Sequence, residues 1–144
     1  MKALIALCLA VFLNNTAKAE QVPEPPLVCG DFLKQLGLQR PDVKFVSCES
    51  LKDAGVWPEA LQAVYQVEGK DIAKVENWLV RLAKVKRLRF VCCGWETPNE
   101  GMLEDRNGST FVIGMGGEAM VTERKDFPKI PYLNVYVRHY LYEP

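Results

Sequence analysis

The chain has 144 residues, with 18 Lys and Arg balanced by 18 Asp and Glu, a single histidine and five cysteines. A balanced charge exerts no general pull on phosphates, so composition argues against nucleic acid as a partner. The length fits one domain with an ordinary core.

The N-terminus reads as a signal peptide. Lys2 supplies a positive start, and Ala3 to Leu13 is an eleven-residue apolar run, too short to span a bilayer. Asn14, Asn15 and Thr16 break the run, and Ala17-Lys18-Ala19 supplies small residues for cleavage after Ala19. Cys8 follows Leu7 too early in the run for a lipidation site. No other apolar stretch reaches eighteen residues, so no membrane anchor is expected. Removing residues 1–19 leaves 125 residues, sixteen of them basic and eighteen acidic. The expected location is the periplasm or outside the cell.

Residues 20–28, with Pro23, Pro25 and Pro26, read as an extended lead-in to a single domain over 29–144. Asp31 is placed to cap a short helix through Leu36, with Gly37 closing it. Val43 to Cys48 alternates as a strand, Ser50 to Pro58 as a turn with a broken helical segment, and Leu61 to Glu68 as a half-buried strand. Asp71 to Ala83 is the clearest helix: Ile72, Val75, Leu79 and Leu82 share a stripe, with lysines and acids opposite. A strand over Leu88–Cys93 leads into a turn-rich loop, Gly94–Gly101. Phe111–Met115 is a further strand, Gly114-Met115-Gly116-Gly117-Glu118 a hairpin turn, and Met120–Thr122 an extension of the meander. Tyr132–Leu141 is the last strand. The expected architecture is α+β, a mostly antiparallel sheet with helices packed on one face, in the order α-β-β-α-β-β-β and stapled by disulfides.

Beyond the leader stand Cys29, Cys48, Cys92 and Cys93, an even number in an oxidising compartment, for which disulfides are the expected state. Zinc is the alternative, but spacings of nineteen, forty-four and one lack paired C-x-x-C knuckles. The stretches Lys44-Phe45-Val46-Ser47-Cys48 and Arg89-Phe90-Val91-Cys92-Cys93 match. Laid side by side in phase, they would face Cys48 to Cys93 and leave Cys29 for Cys92. A bond between neighbours Cys92 and Cys93 is expected to need a strained, cis-like turn.

No cofactor motif and no catalytic constellation emerges. His139 falls on the apolar side of the last strand and reads as a satisfied residue at the edge of the core. No nucleophile elbow accompanies it. The Gly114–Glu118 run lacks the following helix that a phosphate loop needs. Glu96, Glu100 and Glu118 are candidates for paired-carboxylate hydrolysis, a weak signal in a chain so rich in acids.

Two features suit binding. Tyr132, Asn134, Tyr136, Arg138 and Tyr140 share the side of the last strand opposite the apolar row, and Tyr and Arg dominate binding hot spots. Trp95 and Glu96 follow the cysteine pair, where a rigid protruding loop would offer an aromatic anchor and acids.

Cys29-Gly-Asp-Phe-Leu, Tyr65-x-Val-x-Gly69, Val75-Glu76-x-Trp-Leu79 and above all Leu88-Arg-Phe-Val-Cys-Cys-Gly-Trp-Glu96 resemble a family of small exported Gram-negative bacterial proteins of unknown function. The resemblance implies a periplasmic setting and an α+β domain, and no activity. Size, expected export, a disulfide-rigid frame, missing catalytic groups and the tyrosine-rich last strand make binding of another protein the expected function, most concretely as an immunity or inhibitor protein that blocks a toxin or hydrolase of the cell envelope. The alternatives are an envelope accessory or ligand-binding module, then a carboxylate-dependent hydrolase.

Overall fold

The computed structural model describes residues 28–51 and 59–140. The expected leader, the lead-in before Val28, most of the Ser50–Pro58 turn and the end of the last strand lie outside them. No helix among the described residues is long and apolar enough to cross a membrane.

Asp31 caps helix α1 (Phe32–Gln35), its Oδ1 accepting the Lys34 N–H at 3.1 Å, and Gly37 follows at φ 68°. Strands β1 (Lys44–Ser50) and β2 (Ala60–Glu68) pair antiparallel, with a bulge between Phe45 and Ser47. A single 3-10 turn over Gly69–Asp71 enters helix α2 (Ile72–Ala83). Then come β3 (Arg89–Val91), β4 (Gly94–Glu96), β5 (Gly101–Glu104) and β6 (Thr110–Glu118). A 3-10 segment over Arg124–Lys129 precedes β7 (Tyr132–Tyr140).

The seven strands form one antiparallel sheet in the order β1-β2-β7-β6-β4-β3, with β5 also paired to β6. Residues directly opposite each other across strands share a face, so the register sorts the side chains. Leu61, Ala63, Tyr65 and Val67 of β2 lie level with His139, Val137, Val135 and Leu133 of β7. Phe111, Ile113 and Met115 of β6 continue those rows. This is the core face, and Ile72, Val75 and Leu79 of α2 and Phe32 and Leu33 of α1 join its cluster. Gly101, level with Ile113, admits the end of α2: a Cβ there would come within 2.4 Å of the Ala83 carbonyl oxygen.

Three polar clips hold helices and loops to this face. The buried Tyr65 phenol donates to Asp31 Oδ1 at 3.0 Å and accepts from the Leu33 N–H at 2.9 Å, tying α1 to β2. Loss of solvent there pushes the phenol above its ordinary pKa. Asp42 accepts two bonds from Arg40, at 2.7 and 2.8 Å, and pairs with Lys74 of α2 at 3.0 Å. Glu76, 0 % exposed, is the third. Its Oε1 accepts the Leu88 N–H at 2.7 Å, and its Oε2 pairs with Arg87 at 3.1 Å and with Arg124. The sequence reading placed the acids of α2 on the face opposite the apolar stripe. Glu76 is an exception, lying one turn from Ile72 and three residues before Leu79, within the stripe itself.

Several expectations are corrected. Five strands follow α2 where three were expected: the cysteine pair turns the chain so that the Gly94–Gly101 loop contains β4, and Gly101–Glu104, not read as a strand, forms β5 against β6. The Gly114–Glu118 run is not a turn: it continues β6, paired to β7 through Gly114 and Gly116 and to β4 through Gly116, Gly117 and Glu118. Met120–Thr122 is not a strand, and Met120 is 95 % exposed.

The disulfide connectivity is also corrected. Cys29 bonds Cys48, with Cα atoms 5.4 Å apart, and Cys92 bonds Cys93. β1 and β3 lie on opposite edges of the sheet, so Cys48 and Cys93 never meet. Cys92 and Cys93 form the two-residue loop of the β3–β4 hairpin, between the paired residues Val91 and Gly94. Cys92 takes φ 53°, a sign that tight hairpin loops call for. The Cα–Cα distance of 3.8 Å is that of a trans peptide, so no cis turn is needed.

Candidate interaction face

The opposite, outer face of the sheet carries the residues singled out on the last strand. Tyr132, Asn134, Tyr136, Arg138 and Tyr140 lie level with Glu68, Gln66, Val64, Gln62 and Ala60 of β2. On the other flank, Val112, Gly114 and Gly116 of β6 lie level with Arg138, Tyr136 and Asn134, and Met102 of β5 lies level with Val112. Most of these side chains are half-buried, while Tyr132 and Met102 are 48 % and 68 % exposed.

At the centre sits a connected polar group. Arg138 Nε donates to Gln62 Oε1 at 2.7 Å and Nη1 to Glu100 Oε1 at 2.6 Å. Its guanidinium lies 4.6 Å above the Tyr136 ring. The Tyr136 phenol rests against Thr97 and Glu100, and burial together with the Glu100 charge raises its pKa. Gly114 makes this pose possible, since a Cβ there would fall 2.2 Å from the Tyr136 oxygen. Gly114 therefore serves packing: it lets a large neighbouring side chain lie flat across the strand. The result is a planar platform of Tyr, Arg and Gln whose rotamers are fixed before any partner arrives.

Glu96 also points to this face, two strands away in β4, and pairs with Arg89 at 3.3 Å. Trp95 does not belong to the surface. It is 4 % exposed, its ring sits 4.8 Å from Phe127 and 5.7 Å from Phe90, and its Nε1–H donates to the Val121 carbonyl at 2.7 Å. The expected protruding aromatic anchor is thus a core residue: a strand residue next to outward Glu96 must turn inward. His139 matches its reading, stacked 4.6 Å from Phe111 with Nδ1 3.2 Å from the Thr110 carbonyl oxygen. Of the suggested carboxylates, Glu96 and Glu100 each face an arginine, and Glu118 stands at the far end of β6.

Sequence reasoning did not assign Gln62, Val64, Val112 or Met102 to the site, nor Glu100 as a partner of Arg138. The polar half of β2 was legible from its alternation. Its registration with Arg138 depends on which strands are neighbours, which no local pattern encodes.

These features define a class: a disulfide-bonded α+β protein built on one antiparallel sheet, with a core face and a tyrosine-bearing outer face. The chain belongs to DUF4952, a family defined by a domain of unknown function, which matches residues 18–95. The match takes in all four cysteines of the two disulfides and ends at Trp95 in β4, ahead of the strands that complete the outer face. No curated protein and no solved structure matches the chain.

Proposed function

We infer that this is a periplasmic binding protein whose outer sheet face engages another protein, as an immunity or inhibitor protein that blocks a toxin or hydrolase of the cell envelope. The observation that carries the reading is the Arg138–Tyr136 platform, locked by Gln62, Glu100 and Gly114 on a face over which no described element packs. The buried network around Glu76 clips a helix to distant segments, whereas this one lies across β2 and β7, which the ladder already pairs, and reaches only the short loop before β5. Strands β1, β2, β7 and β6, of seven to nine residues, flanked by the short β3, β4 and β5, give a face of roughly 700 Å² at about 4.8 Å between strands and about 3.4 Å per residue. That is close to the ~800 Å² a standard interface takes from each partner. The leader-like N-terminus and the disulfides support export. Hydrolysis by paired carboxylates gains no support from Glu96 and Glu100, each held by an arginine.

The test is photocrosslinking in the periplasm, with the reactive group at Val64 or Val112 on the outer face and at Arg81 on the helix side. One discrete adduct from the two outer positions alone is expected. An adduct from Arg81 alone, or none at any position, would overturn the assignment of the face.

A further inference from the structure

The outer face is more acidic than the nearly neutral chain that bears it. The register places Glu49, Glu68, Glu96, Glu104 and Glu118 on it, and Glu100 reaches it through Arg138. Three of the six are neutralised: Glu68 by Lys44 and Lys70, Glu96 by Arg89, Glu100 by Arg138. Glu49, Glu104 and Glu118 are exposed and have no cation within 4 Å among the described residues. These three stand at the rim, on edge strand β1, at the end of β5 and at the end of β6. The centre, with Val64, Val112, Gly114 and Tyr136, carries only the internally neutral Arg138–Glu100 pair.

Resting on the reading of this face as the partner surface, we propose that its partner is a basic protein, met by the three unpaired glutamates at the rim and by the Tyr136–Arg138 platform at the centre. The layout fits recognition physics. Charged residues are depleted from interface centres and tolerated at rims. Unpaired rim charges set the encounter rate, while a rigid Tyr and Arg centre sets the lifetime. An acidic partner would meet three uncompensated like charges, and nucleic acid would meet them too. The inhibitor reading gains a physical content from this. A basic partner is drawn in by the rim and then closed over by a flat sheet.

The experiment uses the oxidised chain from residue 20, immobilised, with periplasmic extract split at pH 7 on a cation exchanger. The partner that crosslinks to Val112 is expected in the retained, basic half. Its association should slow at least tenfold in the Glu49→Lys/Glu104→Lys/Glu118→Lys variant, and comparably between about 50 and 300 mM salt, with little change in dissociation. Charge reversal on the helix side, Arg81→Glu/Lys84→Glu/Lys86→Glu, should leave it unchanged. A partner from the unretained half that still crosslinks to Val112 would overturn the basic-partner proposal and leave the face standing. Capture that ignores the outer-face positions, or no capture from either half, would remove both.

Discussion

The two faces of the sheet use polar residues for opposite purposes. On the core face, Glu76 is wholly buried and satisfied by Leu88, Arg87 and Arg124, linking α2 to the start of β3 and to the 3-10 segment before β7. On the outer face, Arg138 is bonded to Gln62 and Glu100, joining β7 to β2, which the ladder already pairs, and to the loop before β5, where Glu100 is exposed. The first network holds tertiary structure together, and the second only sets the shape of a surface. The difference teaches where a substitution should cost stability and where it should cost only a partner.

The sharpest way to break that contrast is Glu76→Ala. It strands the Leu88 N–H and leaves Arg124, stacked 5.0 Å over Phe127, without its buried anion. Stranding a buried N–H costs about 1–3 kcal/mol and the cavity left by the side chain adds to it, so denaturant unfolding should show a loss at or above the top of that range. A loss below about 1 kcal/mol would mean that the clip is decorative.

The disulfides divide in the same way. Cys29–Cys48 spans 19 residues of sequence and ties the start of α1 to edge strand β1, a closure worth about 3 kcal/mol in the chain-entropy model. Cys92–Cys93 closes no loop beyond one peptide unit, so the same model gives it almost no share in global stability. Thermal unfolding should therefore fall by many degrees in Cys29→Ser/Cys48→Ser and hardly move in Cys92→Ser/Cys93→Ser. Equal losses would show that the hairpin tip supports the fold as a whole.

Asp42 gives a smaller, pH-dependent effect. The Arg40 hydrogen bonds, with Lys74 adding to them, hold its carboxyl below the usual aspartate range against the opposing effect of burial. A carboxylate that titrates lower when folded stabilises fully above the unfolded value near 4 and loses that contribution as pH falls through the folded value. Asp42→Asn should cost roughly 1–2 kcal/mol at pH 7 and progressively less below about pH 4. A deficit that stays constant into acid would assign the effect to packing.

Much of the fold was legible because it is written in local periodicity: the cap at Asp31, the α2 stripe, and the alternation that sent Val135 inward and Tyr136 outward. What was not legible depends on who neighbours whom. Lys44–Cys48 and Arg89–Cys93 look alike, and likeness suggested adjacency, but the chain places them on opposite edges of the sheet. Glycine signalled turns at 114–118, where its use is to leave space for Tyr136 and for the core side chain Leu133. Trp95 looked like an anchor because it follows a cysteine turn. One more step of strand alternation, with Glu96 outward, would have turned it in. The outer face was half visible, as a row of tyrosines on β7, while its partners Gln62 and Glu100 come from distant sequence.

The finest test of the comparison is Arg138→Met, which keeps much of the apolar stem of the side chain and removes its charge. Gln62 and Glu100 would lose a partner, but both lie where water can replace it, and Glu100 is exposed. The stability change should stay under about 1 kcal/mol, the range of part-exposed ion pairs. Far-UV circular dichroism should be unchanged, since β2, β6 and β7 keep their ladders. Crosslinking from Val112 should nevertheless drop sharply, because Tyr136 loses the guanidinium that pins its ring and the platform is no longer preorganised. If Arg138→Met instead costs as much stability as Glu76→Ala is expected to, the two networks do the same job, and the outer face is a structural surface after all.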